Sequence, residues 1–243
     1  MISRLGLFLL SVAAALCMVT PLAASRTDAQ PARQVGKGTV IERYADALAA
    51  VARPKNMVFE FTVEQSGAHN FDETHRIYRS GLHERDETLA LAGTALKIPI
   101  VRVAPDNAYK YDVLTLSPKP AEYVFTYSGV RVVNGRTVYA FRTKPVAQSS
   151  FAVSDVLIDG QRFLPLVIAF TSVGRGMKGK GRITFGPSGP YWVARDVSVA
   201  ATAADGKETR ERIVWSKYRF PDSLPASTFS APKPIATEAS SAP

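Results

Sequence analysis

The chain repeats one pattern from Phe59 to Phe220: short runs of alternating apolar and polar residues, separated by turns that contain glycine. A period of two places apolar side chains on one face of a strand and polar side chains on the other. Short returns join antiparallel neighbours, because parallel strands need long crossovers. About ten such runs predict a mainly β protein. A sheet this wide twists and curls, so we expect a curled antiparallel meander that forms a half-open β-barrel.

Turn residues mark several of the hairpins. Asn134-Gly135 lies between two valine-rich runs and favours a type I′ turn, and Asp159-Gly160 and Asp205-Gly206 mark two more. Pro165 cannot donate to a strand ladder, so we expect it at an edge or a bulge. Tyr109 to Leu116 has strand character. Two other stretches are less regular: Ala90 to Lys97 suits a strand or a short helix, and Ser117-Pro118-Lys119-Pro120 reads as a loop.

One amphipathic helix precedes the strands and is predicted to act as a lid or plug for the curled sheet. Thr39 and Glu42 have the spacing of a capping box, and Pro54 stops the helix after Ala52. The helix presents one apolar stripe at helical spacing, which usually packs on a sheet. The stripe consists of Ile41, Tyr44, Ala45, Leu48, Val51 and Ala52.

The first 25 residues have the pattern of a cleaved signal peptide. Arg4 precedes an apolar run, Leu5 to Val19, and small residues follow at a plausible cleavage zone. The run is short for a membrane span, although an uncleaved anchor is the alternative. Lipidation of Cys17 is disfavoured, since Leu16 stands where a small residue is usual. We expect a linker over 26–38, a single β domain over 39–229 and a disordered tail over 230–243.

Cleavage would remove the single cysteine, so the mature chain would be held by its core without disulfides. It would also remove Arg4 and no acid, which changes the net charge from +9 to +8. A basic protein is drawn to anionic lipid headgroups, acidic polysaccharide or nucleic acid. Export favours the first two classes, so no nucleic-acid partner is expected.

Three stretches carry a resemblance to the periplasmic lipoprotein-carrier superfamily of LolA and LolB, and to the related amino-terminal domain of RseB/MucB. The first is the helix that runs into Met57–Val63. The second is Tyr139–Pro145, followed by the hairpin Val156–Pro165. The third is Tyr218–Pro225. The resemblance spans most of the mature chain, and it rests on patterns of residue class.

What the resemblance implies is a periplasmic, noncatalytic carrier, monomeric, with a helical lid over an apolar cavity for a lipid, an acyl chain or a lipidated protein. The lid residues would be Ile41, Tyr44, Leu48 and Val51. An envelope sensor that regulates a membrane protein partner is the alternative. The aromatic residues of the strands are the candidates for the cavity wall: Phe59, Phe61, Tyr123, Phe125, Tyr127, Phe141, Phe170, Trp192 and Trp215.

A glycine-rich basic stretch follows Val173. Gly174–Gly179 matches G-x-G-x-x-G, but a strand follows it where a dinucleotide site needs a helix, so we expect a flexible basic hairpin loop. Clustered basic residues can bind anionic headgroups. The candidates are Arg175, Lys178, Lys180 and Arg182, with a solvated loop as the alternative.

The three histidines, His69, His75 and His83, lie within one short region that is also rich in carboxylates. Histidine and carboxylate side chains can bind zinc or transfer protons. Their spacing matches no closed metal motif, and the chain has no G-x-S-x-G nucleophile motif. We therefore expect no metal, no cofactor and no catalysis, and an enzyme acting on envelope glycans or lipids remains the third hypothesis.

Overall fold

A computed structural model of the chain describes residues 36–67, 70–107, 109–174 and 176–230. The predicted signal peptide, most of the predicted linker and nearly all of the predicted tail lie outside these residues, as do His69 and Arg175. Among the described residues, no helix has the length and apolarity needed to cross a membrane.

The described residues form eleven strands and two short α-helices. The helices are α1 (Lys37–Ala50) and α2 (Val113–Leu116). The strands are β1 (Asn56–Gly67), β2 (Phe71–Ser80), β3 (His83–Leu91), β4 (Thr94–Ala104), β5 (Tyr123–Val133), β6 (Arg136–Pro145), β7 (Phe151–Asp159), β8 (Pro165–Gly174), β9 (Met177–Ser188), β10 (Tyr191–Ala203) and β11 (Glu208–Arg219).

All eleven strands belong to one antiparallel sheet in the order β4-β3-β2-β1-β11-β10-β9-β8-β7-β6-β5. The sheet is curled but does not close into a barrel, which confirms the predicted fold class. The first and last strands pair at its centre, where Phe61 lies opposite Trp215. The two edges, β4 and β5, are consecutive in the sequence.

The helix α1 begins and ends two residues earlier than predicted. Gly36 is its N-cap and makes no side-chain capping hydrogen bond, so the predicted capping box at Thr39 is wrong. The buried residues of α1 are Val40, Tyr44 and Leu48. Val40 was missed, because the predicted stripe began one residue later at Ile41, which is only half-buried.

The described residues of the stretch 105–122 form no strand, which overturns the strand expected from Tyr109 to Leu116. They link the two edges of the sheet, and we call them the crossing segment. The segment contains α2, whose first turn is capped by the Asp112 carboxylate, which accepts a hydrogen bond from the Leu114 amide. Its aromatic residues mimic a strand pattern because they pack onto the sheet one after another. Ala90 to Lys97, by contrast, forms the β3–β4 hairpin.

The predicted hairpin turns are confirmed. Asn134 has a φ of 50° and Gly135 a φ of 74°, as a type I′ turn requires. Asp159 accepts hydrogen bonds from the amides of Gln161 and Arg162 and so shapes the β7–β8 turn. Pro165 opens β8 beside a register shift, and β8 is an interior strand, so the bulge alternative is the correct one.

The hydrophobic core lies between the concave face of the curled sheet and the two segments that cover it, α1 and the crossing segment. From the helices, Val40, Tyr44, Leu48 and Val113 are buried in this core. The sheet contributes alternate residues of most of its strands. The described residues therefore form one core, and the layer that faces the sheet comes from α1 and the crossing segment rather than from a second sheet.

Candidate functional site

The concave face of the sheet is the candidate site, and the aromatic residues predicted for a cavity wall lie along it. Five of them are buried: Phe59, Phe141, Phe170, Trp192 and Trp215. The other four are half-buried: Phe61, Tyr123, Phe125 and Tyr127. The half-buried aromatic residues therefore lie at places where the cover is incomplete.

The helix α1 covers the β5–β8 half of the concave face. The rings of Tyr44 and Phe125 meet edge-on, with centroids 5.8 Å apart. The Arg43 guanidinium lies 5.1 Å from the centroid of the Phe163 ring. Of the predicted lid residues, Tyr44 and Leu48 are buried, whereas Ile41 and Val51 are half-buried. The helix is therefore placed as a lid over aromatic side chains.

The crossing segment covers the β1–β11 region of the same face. Tyr109 packs against Phe59 with ring centroids 5.8 Å apart, and Tyr111 packs against Trp215 at 4.6 Å. Burial raises the pKa of Tyr109 to about 12, so both phenols stay neutral at physiological pH. This second cover was not predicted, because the pattern of the same residues is typical of a strand.

Two polar contacts join the two covers. The Tyr44 hydroxyl donates a hydrogen bond to the Pro118 carbonyl at 2.9 Å, and burial raises the pKa of this phenol above its ordinary value. The Arg53 guanidinium, just beyond α1, pairs with the Asp112 carboxylate at the start of α2. These contacts link α1 to the crossing segment directly, so a displacement of one cover disturbs the other.

A polar cluster occupies the concave face on β2 and β3. His75 Nδ1 lies 2.8 Å from Asp86 and His75 Nε2 lies 2.9 Å from Glu73, while its ring stacks on Phe61 with centroids 4.7 Å apart. Burial lowers the pKa of His75, but the hydrogen bonds and charges of Asp86 and Glu73 outweigh it and hold that pKa above its usual value. Both ring nitrogens of His75 therefore face carboxylate oxygens, which holds the ring in one orientation.

The histidine-rich region does not form one site in the described part of the chain. His75 is buried, whereas His83 is exposed at the start of β3, and His69 lies outside the described residues. Among the described residues, no group of three or more His, Cys, Asp or Glu side chains could hold a metal ion.

A second buried ion pair anchors the start of the crossing segment. Arg79 and Glu84 are both buried and lie 3.2 Å apart, and Arg79 also donates to the carbonyl of Asn107. The amide of Asn107 in turn donates to Glu84. This network fixes the end of the crossing segment that follows β4.

Glu211 is a buried carboxyl group that the sequence analysis missed. It lies on the same face of β11 as Ile213 and Trp215, opposite Gln65 of β1 and Val199 of β10. The side chain is only 8% exposed, and burial raises its pKa to about 7. The sequence did carry a signal for it, because Glu211 stands at an apolar position of the Ile213–Trp215 alternation.

The predicted basic residues lie on a strand rather than on a loop. The strand β9 begins at Met177, so it contains Lys178, Lys180 and Arg182, and all three are exposed. Only Gly176 and its undescribed neighbour Arg175 separate β9 from β8. The three basic side chains of β9 alternate with Gly179, Gly181 and Ile183 and so point away from the concave face. A groove of about 600 Å³ runs beside Lys180 and Arg182.

A smaller cavity of about 340 Å³ lies at the irregular pairing of β1 with β11. Glu60 lies at this cavity and pairs with Arg76 at 2.8 Å and Lys217 at 2.5 Å. Lys217 has a φ of 52°, which is the left-handed region. The single carboxylate of the cavity is already paired twice, and Arg219 is the described lining residue whose charge stays unpaired.

Several solved structures are similar to this chain over most of its length, whereas no family model and no curated protein matches its sequence. A DUF1329 family protein from Desulfovibrio piger is 10% identical with a TM-score of 0.43, over 79% of this chain and 96% of that one. A domain named for outer membrane lipoprotein sorting, from Vibrio parahaemolyticus, is 16% identical with a TM-score of 0.42, over 78% and 95%.

A LolA superfamily protein from Nitrosomonas europaea is 11% identical with a TM-score of 0.36, over 81% of this chain and 98% of that one. The similar structures therefore include the superfamily that the sequence resembles. Identities and TM-scores this low assign no ligand, partner or activity. The function has to be argued from the concave face itself.

Proposed function

We propose that the protein is an exported, noncatalytic carrier that holds an acyl chain, of a lipid or of a lipidated protein, against the concave face of its curled sheet. One observation carries the proposal: this aromatic face is covered by two segments of the same chain, α1 and the crossing segment, and two polar contacts join them. An acyl chain would take the place of α1 against Phe125 and its neighbours. The periplasm is the compartment in which such a carrier would work.

The exchange of α1 for an acyl chain is energetically balanced. Displacing α1 exposes three buried side chains, Val40, Tyr44 and Leu48. Burial of one such side chain contributes about 1.5–3 kcal/mol, and burial of one methylene of an acyl chain contributes about 0.8 kcal/mol. An acyl chain of roughly ten carbons therefore offsets the loss of the lid contacts. A cover with a larger buried face would need a longer acyl chain to displace it.

The first experiment is native mass spectrometry of the mature protein purified from its own envelope, followed by organic extraction of whatever is bound. We expect a discrete mass excess that is released as one class of lipid or acylated peptide. A clean apo mass, together with no uptake of offered fatty acids or acylated peptide, contradicts the carrier function.

A pair of matched variants locates the bound chain. Phe125→Ser removes a half-buried aromatic side chain that α1 covers, and Val124→Ser removes an exposed apolar side chain of the same strand, on the face that alternates away from Phe125. We expect the first change to weaken acyl-chain uptake and the second to leave it unchanged. Circular dichroism checks that both variants remain folded. Equal uptake by both variants argues against binding on the concave face.

The second candidate function is an interaction module for a membrane protein partner. The β4 edge favours it, because Ile98 and Ile100 are 68% and 57% exposed there, and an unpaired edge can accept a strand from another chain. Capture of one membrane protein by the wild-type protein and not by an Ile98→Lys variant, with no bound lipid, would favour this function over the carrier.

A further inference from the structure

The face of the sheet opposite the core carries a concentration of basic side chains. They are contributed by β9 and β11, the two strands that flank β10. Ser198 of β10 pairs in register with Arg212 of β11, and Ala200 pairs with Arg210. Lys180 and Arg182 of β9 are exposed on the other side of β10. The basic residues therefore stand in two rows with small side chains between them.

These six residues line the groove of about 600 Å³, which we call the outer groove. The lining residues with exposed side chains are the outward ones, whereas Val199 and Glu211 between them are buried. The groove therefore opens on the outward face of the sheet and is separate from the concave face. Its floor is shallow because Ser198 and Ala200 are small.

The charge of the outer groove is only partly balanced by carboxylates. Arg212 pairs with Asp196 at 2.9 Å and Arg210 pairs with Glu208 at 3.4 Å, and Glu64 also lines the groove. Both pairs are solvent-exposed, and exposed pairs exchange partners at little cost. Lys180 and Arg182 form no ion pair with any described residue. The groove can therefore accept an anion without first breaking a strong interaction.

An exposed apolar side chain lies beside the groove. Val173, near the end of β8, is 57% exposed and pairs in register with Lys178 of β9. It stands on the outward side of the β8–β9 hairpin, close to the turn. An apolar side chain next to basic ones is the arrangement that partitions into a bilayer interface, where the cations meet phosphates and the apolar group enters the acyl boundary.

We propose that the outer groove and the adjoining side chain of Val173 form a docking surface for an anionic phospholipid bilayer. Lys180, Arg182, Arg210 and Arg212 would contact the phosphates of the headgroups, and Val173 would enter the interface. Docking uses the outward face and does not depend on what the concave face holds. Dissolved phosphate could bind the basic side chains but would gain nothing from contact with the apolar Val173. A bilayer binds both kinds of side chain, so it is the occupant that accounts for the whole surface.

Sedimentation with vesicles tests the docking surface. The probes are vesicles of phosphatidylcholine and vesicles of equal parts phosphatidylcholine and phosphatidylglycerol. We expect the wild-type protein to sediment with the second kind only, and less so as salt is raised, because salt screens the attraction. The Lys180→Gln/Arg182→Gln variant should bind roughly 30-fold more weakly, at about fivefold for each basic side chain.

The chain offers a closely matched control for each change. Arg142 and Lys144 of β6 have the same spacing and are exposed, so Arg142→Gln/Lys144→Gln removes the same charge elsewhere. Val173→Ser is likewise matched by Val124→Ser, since both valines are 57% exposed. We expect both control variants to sediment like the wild-type protein and Val173→Ser to sediment less.

Two outcomes overturn the proposal. Equal losses in the groove and control variants would show attraction by net charge alone. Displacement of the protein from the vesicles by inorganic phosphate, at an ionic strength matched with chloride, would show a site for the free anion. Acyl-chain uptake by the same variants is measured in parallel, so that a failure to dock is distinguishable from a failure of the carrier function.

Discussion

Glu211 shows how one buried side chain can control the pH dependence of stability. Burial raises its pKa in the folded protein to about 7, whereas in the unfolded chain the carboxyl group has its ordinary, lower pKa. At a pH below the pKa of the unfolded chain, the carboxyl group is protonated in both states and does not change the free energy of unfolding with pH. As the pH rises towards 7, only the unfolded state ionises, so the free energy of unfolding falls. The stability contributed by the neutral carboxyl group is therefore lost at alkaline pH.

We predict that Glu211→Gln stabilises the protein at pH 8 by up to about 3 kcal/mol and has little effect near pH 4. The amide keeps the shape of the carboxylic acid but cannot ionise. Urea unfolding of both proteins at a series of pH values measures the difference. The same offset at every pH would show that the effect comes from packing and not from ionisation.

The hydroxyl of Tyr44 is the second residue whose role can be isolated. Tyr44→Phe keeps the ring against Phe125 but leaves the buried Pro118 carbonyl without its donor. We expect a loss of about 1–3 kcal/mol in the free energy of unfolding and faster acyl-chain uptake. Tyr127→Phe is the control, since the Tyr127 hydroxyl makes no hydrogen bond with any described residue. Stopped-flow fluorescence with a labelled fatty acid measures the uptake, and equal rates in both variants argue against a latch at Tyr44.

At the residue scale, alternation found most of the inward aromatic residues but not their degree of burial. Phe59 and Phe61 have the same pattern in the sequence, yet the first is buried and the second half-buried. The difference comes from Tyr109, which covers Phe59 from a segment fifty residues away. A local pattern specifies the face of a strand and carries no information about what covers that face.

At the scale of the element, β8 and β9 pack closely where Gly181 lies opposite Phe170. A Cβ atom added to Gly181 would lie 2.4 Å from the Phe170 ring. Gly181→Ala should therefore destabilise the protein by about 1–3 kcal/mol. Gly174→Ala at the end of β8 meets no atom within 4 Å and is the control.

A second substitution tests the cause of that destabilisation. If the clash is with the ring, the double variant Gly181→Ala/Phe170→Leu should lose less stability than the sum of the two single variants. Chemical denaturation of the four proteins gives the coupling energy. Strict additivity would mean that Gly181 is required for another reason.

The same scale explains which elements were predictable. Hairpins whose turn residues demand a positive φ, such as Asn134-Gly135, were located correctly because the signal is local. The stretch from Tyr109 to Leu116 was mistaken for a strand, because its aromatic residues resemble strand residues and no local signal shows that a chain crosses over a sheet. The start of α1 was also misplaced, since the Thr39 capping pattern is not used.

For the whole molecule, the open edge of the sheet has a predictable effect on self-association. β4 leaves one side unpaired and exposes Ile98 and Ile100 beside Lys97 and Pro99, which limit pairing with other chains. Ile98→Lys should reduce concentration-dependent association, whereas Lys97→Ile should increase it. Sedimentation velocity at several concentrations measures both, and no change in either variant would show that β4 does not mediate association.

The sequence predicted the curled sheet but not its strand order. Short returns specify which strands are neighbours along the chain, as in β5 to β11. They cannot specify that β1 pairs with β11, because that contact joins the two ends of the described chain. The cover of the candidate site could not be predicted for the same reason, since the positions of α1 and the crossing segment depend on the same long-range pairing.

The pairing of Phe61 with Trp215 also has a consequence for the order of assembly. The hairpins of β5 to β11 can form as each is released from an export channel or a ribosome, whereas β1 to β4 must wait for the last strand before they gain their central neighbour. Closing so long a loop is slow and leaves strand edges unprotected in the meantime. We therefore expect resistance to proteolysis only once β11 has emerged, and a chain that ends before β11 should be degraded.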